Sequence, residues 1–178
     1  MSVVVPAYNE EQRLEGMLQE AIEYLDAEFG RTSRSVSKEK ENGRSTGNGI
    51  SNGNAVHRHI SKSRSPGIGG YEILLVNDGS KDKTVDVALS FSRRNGLHDI
   101  LRVVTLKSNR GKGGAVTHGF RHVRGAYVVF ADADGASKFE DLTKLVKGCN
   151  EVADGPNRGV AVGSRAHLVG SEAVVQVC

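Results

Sequence analysis

The sequence predicts an α/β fold, a mostly parallel sheet with helices on both faces. Two observations predict it. Short apolar runs alternate along the chain with stretches whose apolar residues recur at helical spacing. Each apolar run also ends in a polar or glycine-containing cluster, as expected where ligands gather beyond the carboxyl ends of parallel strands.

The first run, Ser2 to Val5, ends at Pro6 and predicts a buried strand. Asn9 and Glu10 then open a predicted helix, with Leu14, Met17, Leu18, Ala21, Ile22 and Leu25 on one apolar face. Residues 31–70 differ in character. They hold eight Ser, seven Gly and four Asn with almost no large apolar side chains, and predict a disordered low-complexity insertion within a single domain. A second strand, Glu72 to Val76, runs into Asn77-Asp78-Gly79-Ser80, and a helix follows with Val85, Ala88 and Phe91 turned inward. A third strand covers Leu101 to Leu106. After Asn109 to Gly114 comes a helix from Ala115 to Val123, then a buried fourth strand over 126–131. Phe139, Leu142, Leu145, Val146, Cys149 and Val152 mark another amphipathic helix, with Cys149 in its core stripe. Gly159 to Gly163 is a short fifth strand, and Val174-Val175 is an apolar end without an assigned partner.

Composition narrows the function classes. The chain has 178 residues and a net charge of +3, but eight Lys/Arg against two Glu lie within 31–70, and the remainder is slightly acidic. That distribution gives no support to a nucleic-acid partner. Two cysteines, Cys149 and Cys178, are too few for a disulfide framework and lack metal-ligand spacing. No run approaches the ~20 apolar residues of a membrane span, and no signal-peptide pattern opens the chain.

The strand-end clusters converge on one rim: Pro6 to Glu10, Asp78, Asn109 to Gly114, Asp132/Asp134 and Arg165. Asp132 and Asp134 stand one residue apart where a strand breaks into a turn at Gly135. They form a candidate seat for Mg²⁺ or Mn²⁺, hard cations that bridge carboxylates to substrate phosphates. Arg110 and Lys112 add positive charge. Gly113-Gly114 fits either backbone contact with an anion or tight helix–strand packing. The Walker A spacing is missing, since Lys112 is followed by Gly. Asp78 could accept an imide N–H of a uracil and Tyr8 could stack on or flank the base; a turn Asp and a capped helix start are the plainer readings of the two. The rim therefore suits a nucleoside diphosphate held through a cation.

Five ordered segments carry a family resemblance. They are Val3-Val4-Val5-Pro6-Ala7-Tyr8-Asn9-Glu10, Val76-Asn77-Asp78-Gly79-Ser80, Asn109-Arg110-Gly111-Lys112-Gly113-Gly114-Ala115, Asp132-Ala133-Asp134-Gly135-Ala136 and Gly163-Ser164-Arg165-Ala166-His167. Together they resemble family-two glycosyltransferases of the Rossmann-like GT-A fold. Within that family, Asp134 to Phe139 and Ser164 to His167 resemble the glucosyl rather than the mannosyl branch of the dolichyl-phosphate enzymes. Asn77 departs from the Asp usual at that place. The resemblance implies a nucleotide-binding loop at Pro6, Ala7, Tyr8 and Glu10, and base contacts at Val76 and Asp78. It implies a metal and diphosphate site at Asp132, Ala133 and Asp134, and a phosphate contact at Arg165. The implied reaction is transfer of glucose from UDP-glucose to dolichyl phosphate with inversion, giving dolichyl β-D-glucosyl phosphate for protein N-glycosylation. No general base is assigned. The implied location is the cytosolic face of the endoplasmic reticulum membrane. The family also carries an N-terminal membrane anchor and further acceptor-side residues, so the chain reads as truncated at both ends. A donor-binding fragment without turnover, or a mannosyltransferase using GDP-mannose, are the alternatives.

Overall fold

The computed structural model describes residues 1–31, 70–156, 158–164 and 174–177. Four parallel strands form the central sheet: β1 (Ser2–Ala7), β2 (Glu72–Asn77), β3 (Leu101–Thr105) and β4 (Val128–Phe130), in the order β3-β2-β1-β4. The helices are α1 (Leu14–Phe29), α2 (Thr84–Arg94), α3 (Gly111–Phe120) and α4 (Leu142–Glu151), the last preceded by a short 3-10 turn at Phe139–Asp141.

Side chains alternate across a strand, and the core divides accordingly. Val3, Val5, Ile73 and Leu75 point to one face, where they meet Leu14, Leu18, Ile22 and Leu25 of α1, Phe91 of α2, and Phe139 and Leu142. Val4, Leu74 and Val76 point to the other face and meet Ala115 of α3 and Leu106. The predicted stripe of α1 is buried in full, with Phe29 added to it. Each such leucine, fully buried, contributes about 1.5–3 kcal/mol.

On the second face the helix lies very close to the sheet. A Cβ added to Gly119 of α3 would fall 2.5 Å from Val4 Cγ1 and 2.9 Å from Val76 Cγ2. The close helix–strand approach considered for Gly113-Gly114 therefore occurs at Gly119, one to two turns further along. Gly114 instead packs on the Arg110 side chain, and Gly113 meets open space.

Several predicted elements shift. Helix α1 begins at Leu14, not at Asn9, because Asn9 adopts a left-handed φ of 57° and its amide and side chain bond to the β2–α2 loop. Helix α3 begins at Gly111 and ends at Phe120, earlier than the predicted 115–123. Asn109 Oδ1 accepts the Gly111 N–H at 2.9 Å in a local turn at the start of the helix.

The fourth strand is neither as long nor as buried as predicted. Only Val128–Phe130 pair with β1, and Val128 and Phe130 are 38% and 47% exposed on the sheet edge. The fifth strand, β5 (Ala161–Ser164), leaves the parallel sheet and pairs antiparallel with β6 (Val174–Val177). The apolar end at Val174-Val175 thus has a backbone partner after all. Cys149 is half-buried rather than fully in the core, and its thiol donates to the Gly159 carbonyl at 3.0 Å.

The predicted insertion at 31–70 lies outside the described residues apart from its two ends. Those ends meet, since Gly70 N–H donates to Phe29 O at 3.3 Å, and Tyr71 and Arg31 both hold Asp26. They join the domain at the start of β2, away from the strand ends where the polar clusters gather.

Candidate functional site

The end of β1 shapes the site first. Its pairing with β4 stops at Val4–Phe130. Pro6 and Asp132 each lie two residues beyond that pair, and a proline has no N–H with which to extend the ladder. The strands part there and leave a cavity of about 240 Å³ lined by Pro6, Glu10, Asp78, Lys112, Ala115, Asp132, Ala133 and Asp134. Seven of those eight residues were predicted from sequence. Ala115 was not, although it follows the glycines of α3 at the point where that helix faces the sheet.

Neighbouring loops lock the walls. Asp78 is buried at the end of β2, its N–H bonded to Ala7 O at 2.8 Å, and its Oδ1 accepts the Arg110 N–H at 2.7 Å. The first loop is laced to the β2–α2 loop by donations from Asn9 N to Ser80 Oγ, Glu10 N to Thr84 Oγ1 and Glu11 N to Asp82 Oδ2, all within 3.1 Å. Lys81 and Lys83 N–H groups return the bonds to Asn9 Oδ1 and Glu11 Oε2. Burial pushes the Asp82 carboxyl up, but hydrogen bonds from Thr84 and Glu11 outweigh it and hold it below the usual range. Sequence reading missed this lacing. Its signal was the Asp82-x-Thr84 pair ahead of α2.

Each wall carboxylate already has a local partner. Lys112 Nζ lies 2.5 Å from Asp132 Oδ1 and 5.7 Å from the centroid of Phe130. Asp134, exposed in the turn, accepts the Ala136 N–H at 2.9 Å. Glu10 Oε1 accepts a hydrogen bond from Arg13. Its Oε2 is buried and, although 2.7 Å from the same guanidinium nitrogen, lacks hydrogen-bond alignment, so that contact is electrostatic only.

Other predicted residues stand outside the cavity wall. Val76 is fully buried beneath α3 and Ala7 is buried in the core, so neither side chain lines the cavity. Tyr8 is 43% exposed, and Arg110 is exposed and serves the site through its N–H. Arg165 lies outside the described residues.

The donor set fits a hard divalent cation. Among the described residues no three His, Cys, Asp or Glu gather into a metal cluster. Two carboxylates from one turn, facing a polar cavity, match a cation that completes its shell with phosphate oxygens and water.

A parallel α/β sheet with a polar cavity beyond its strand ends belongs to the class of α/β domains that take their ligands at that rim. The family model for Glycosyl transferase family 2 matches residues 55–170, which include Asp78, Lys112 and the Asp132–Asp134 turn. The chain belongs to that family. More particularly, it is 40% identical over 169 residues to the dolichyl-phosphate beta-glucosyltransferase of Homo sapiens, covering 94% of this chain and 41% of the relative. The enzyme of the same name from Saccharomyces cerevisiae is 35% identical over 184 residues, covering 99% of this chain and 44% of the relative. The chain thus spans less than half the length of these curated relatives. Among solved structures, the mannosyltransferase PcManGT from Pyrobaculum calidifontis, in complex with GDP-Man and Mn²⁺, aligns with a TM-score of 0.50 at 22% identity. That alignment covers 82% of this chain and 31% of the other, a likeness of fold.

Proposed function

We propose that this chain forms the donor-binding part of a glycosyltransferase that moves glucose from UDP-glucose to dolichyl phosphate. The observation that supports it most is the cavity itself, which gathers Asp78, Lys112, Asp132 and Asp134 at the strand ends. The 35–40% identity to dolichyl-phosphate beta-glucosyltransferases supports the choice of sugar and acceptor.

In this reading Asp78 accepts the imide N–H of uracil with the oxygen not given to Arg110. Pro6 and Ala133 form the apolar flanks of the cavity. Asp132 and Asp134 would hold Mg²⁺ or Mn²⁺, which when bound would supply Lewis-acid neutralisation of charge on a departing diphosphate. Lys112 contributes a second positive charge to the same anion. An acceptor phosphate is already anionic, so it can attack the anomeric carbon without a general base. Arg165 would add a phosphate contact. The proposed setting is the cytosolic face of the endoplasmic reticulum membrane, where the lipid acceptor resides. Among the described residues no helix is long and apolar enough to cross a membrane.

The test is a binding series followed by turnover. UDP-glucose and GDP-mannose are titrated into the protein with Mn²⁺ or Mg²⁺, and transfer to dolichyl phosphate in detergent is then measured for this chain and for a chain of the relatives' full length. Metal-dependent UDP-glucose binding with transfer by the longer chain supports the proposal. A preference for GDP-mannose overturns the glucosyl assignment. UDP-glucose binding without transfer by either chain reduces the function to donor binding.

A further inference from the structure

We propose that Lys112 holds the cation's place on Asp132 while the donor site is empty, and is exchanged from Asp132 to the donor diphosphate as the nucleotide arrives. The inference rests on the donor-site reading above and adds an order of events to it: the site favours cation and nucleotide together over the cation alone.

Three observations carry it. Lys112 Nζ sits 2.5 Å from Asp132 Oδ1, a carboxylate that lines the cavity just beyond β4. Asp132 is only 31% exposed in its side chain, and Lys112, the group that covers it, is 57% exposed. The lysine is therefore tethered at its head but retains a free path through solvent. The second resting contact is the Phe130 ring, 5.7 Å from Nζ, on the exposed edge of β4. An ammonium over an aromatic face is weakly stabilised there. Together these contacts park one positive charge where a divalent ion would otherwise bind.

Electrostatics gives the direction of the effect. A cation approaching Asp132 in the empty site must displace Lys112 and meets its charge nearby. When a diphosphate is also present, the displaced ammonium has a new anion within the same cavity, and repulsion between the two cations is offset. Lys112 thus weakens binding of the metal alone and strengthens binding of the metal with nucleotide. Exposed ion pairs of this kind are weak enough to be exchanged readily.

The test uses the chain as it exists, with Mn²⁺ and UDP as probes, and compares the wild type with Lys112→Met and Asp132→Asn. Free Mn²⁺ is counted by electron paramagnetic resonance and UDP binding by calorimetry. Lys112→Met removes the charge from an exposed position and keeps an unbranched side chain of similar reach. It is expected to tighten Mn²⁺ binding without UDP by about two- to fivefold, the scale of an exposed ion pair. It is also expected to weaken UDP binding in the presence of Mn²⁺ by at least as much. Unchanged Mn²⁺ affinity in Lys112→Met, with binding lost in Asp132→Asn, would overturn the place-holder role and leave the donor site intact. Absence of Mn²⁺-dependent UDP binding in the wild type would overturn the donor-site reading and this inference with it.

Discussion

Asp78 Oδ1 accepts the backbone N–H of Arg110 at 2.7 Å, joining the carboxyl end of β2 to the start of α3. Asp78 is thereby both a wall of the cavity and the pin that sets where α3 begins. Lys112 is two residues from that pin, so the position of the carboxylate also governs the reach of the lysine toward Asp132. A buried carboxylate that accepts from a backbone N–H makes a charge-assisted bond, stronger than one between neutral groups.

Asp78→Ala should therefore damage both fold and site. The lost bond costs about 1–3 kcal/mol, because the Arg110 N–H loses a charged acceptor. A urea melt should show that loss, and calorimetry should show UDP binding weakened by more than the change in folded fraction accounts for. Equal losses in the two measurements would make Asp78 a pin only, with no part in holding the base.

Asp134→Asn separates the turn from the cation. Asn keeps an oxygen able to accept the Ala136 N–H, as Asp134 Oδ1 does at 2.9 Å, so the turn should persist. The ligand charge is gone. Outer-shell partners of metal ligands are themselves worth about 10–100-fold in affinity, so loss of a ligand should weaken Mn²⁺-dependent UDP binding by at least about tenfold. Thermal stability without metal should hardly change. If UDP binding with Mn²⁺ is also unchanged, Asp134 belongs to the turn alone.

Much of this arrangement was legible in the sequence, for reasons that differ by element. The α1 stripe was readable because six of its seven buried residues, Leu14 to Leu25, recur at helical spacing. Asp78, Asp132 and Asp134 were readable because each follows an apolar run whose end must face the same rim. The exposure of Val128 and Phe130 was not readable, since apolarity says nothing about what lies beyond a sheet edge. The antiparallel pairing of β5 with β6 was hidden for a similar reason: a four-residue strand carries no mark of its direction. Val76, Tyr8 and Arg110 are near the rim in sequence, yet proximity does not set where a side chain points. Gly119 was missed because one glycine inside a helical pattern has no signature until the strand beneath it is known.

Gly119→Ala tests that close approach. The new methyl would meet Val4 Cγ1 and Val76 Cγ2, at 2.5 and 2.9 Å, in a core with no spare space. Overpacking of this kind costs about 1–3 kcal/mol, despite the better helix propensity of Ala. Val4→Ala should relieve part of the clash. The double variant should then be less destabilised than the two single changes combined, by about 0.5 kcal/mol or more in urea denaturation. Strict additivity would show that α3 moves away from the sheet instead.

Glu72 predicts an acid-sensitive joint at the opposite ends of the strands. Burial pushes its carboxyl up, but hydrogen bonds from Ser2 Oγ at 2.7 Å, Arg102 at 2.9 Å and the Arg124 N–H at 2.7 Å outweigh it. They hold the carboxyl below the ordinary glutamate range. A carboxyl depressed in the folded state contributes stability above its unfolded value of about 4.5, and that contribution is lost as pH falls through the lower folded value. Glu72→Gln should therefore lower the urea midpoint at pH 7, where the charged bonds to Arg102 and Arg124 are at full strength, by an amount equivalent to about 1–3 kcal/mol. The gap between wild type and variant should stay constant down to about pH 5 and shrink progressively below about 4.5. Because Ser2, Glu72 and Arg102 tie β1, β2 and β3 together where the sheet begins, the wild type should lose cooperativity along with stability in that acid range. A gap that holds the same size from pH 7 to pH 3 would mean that Glu72 contributes through its shape and neutral hydrogen bonds, and not through its charge.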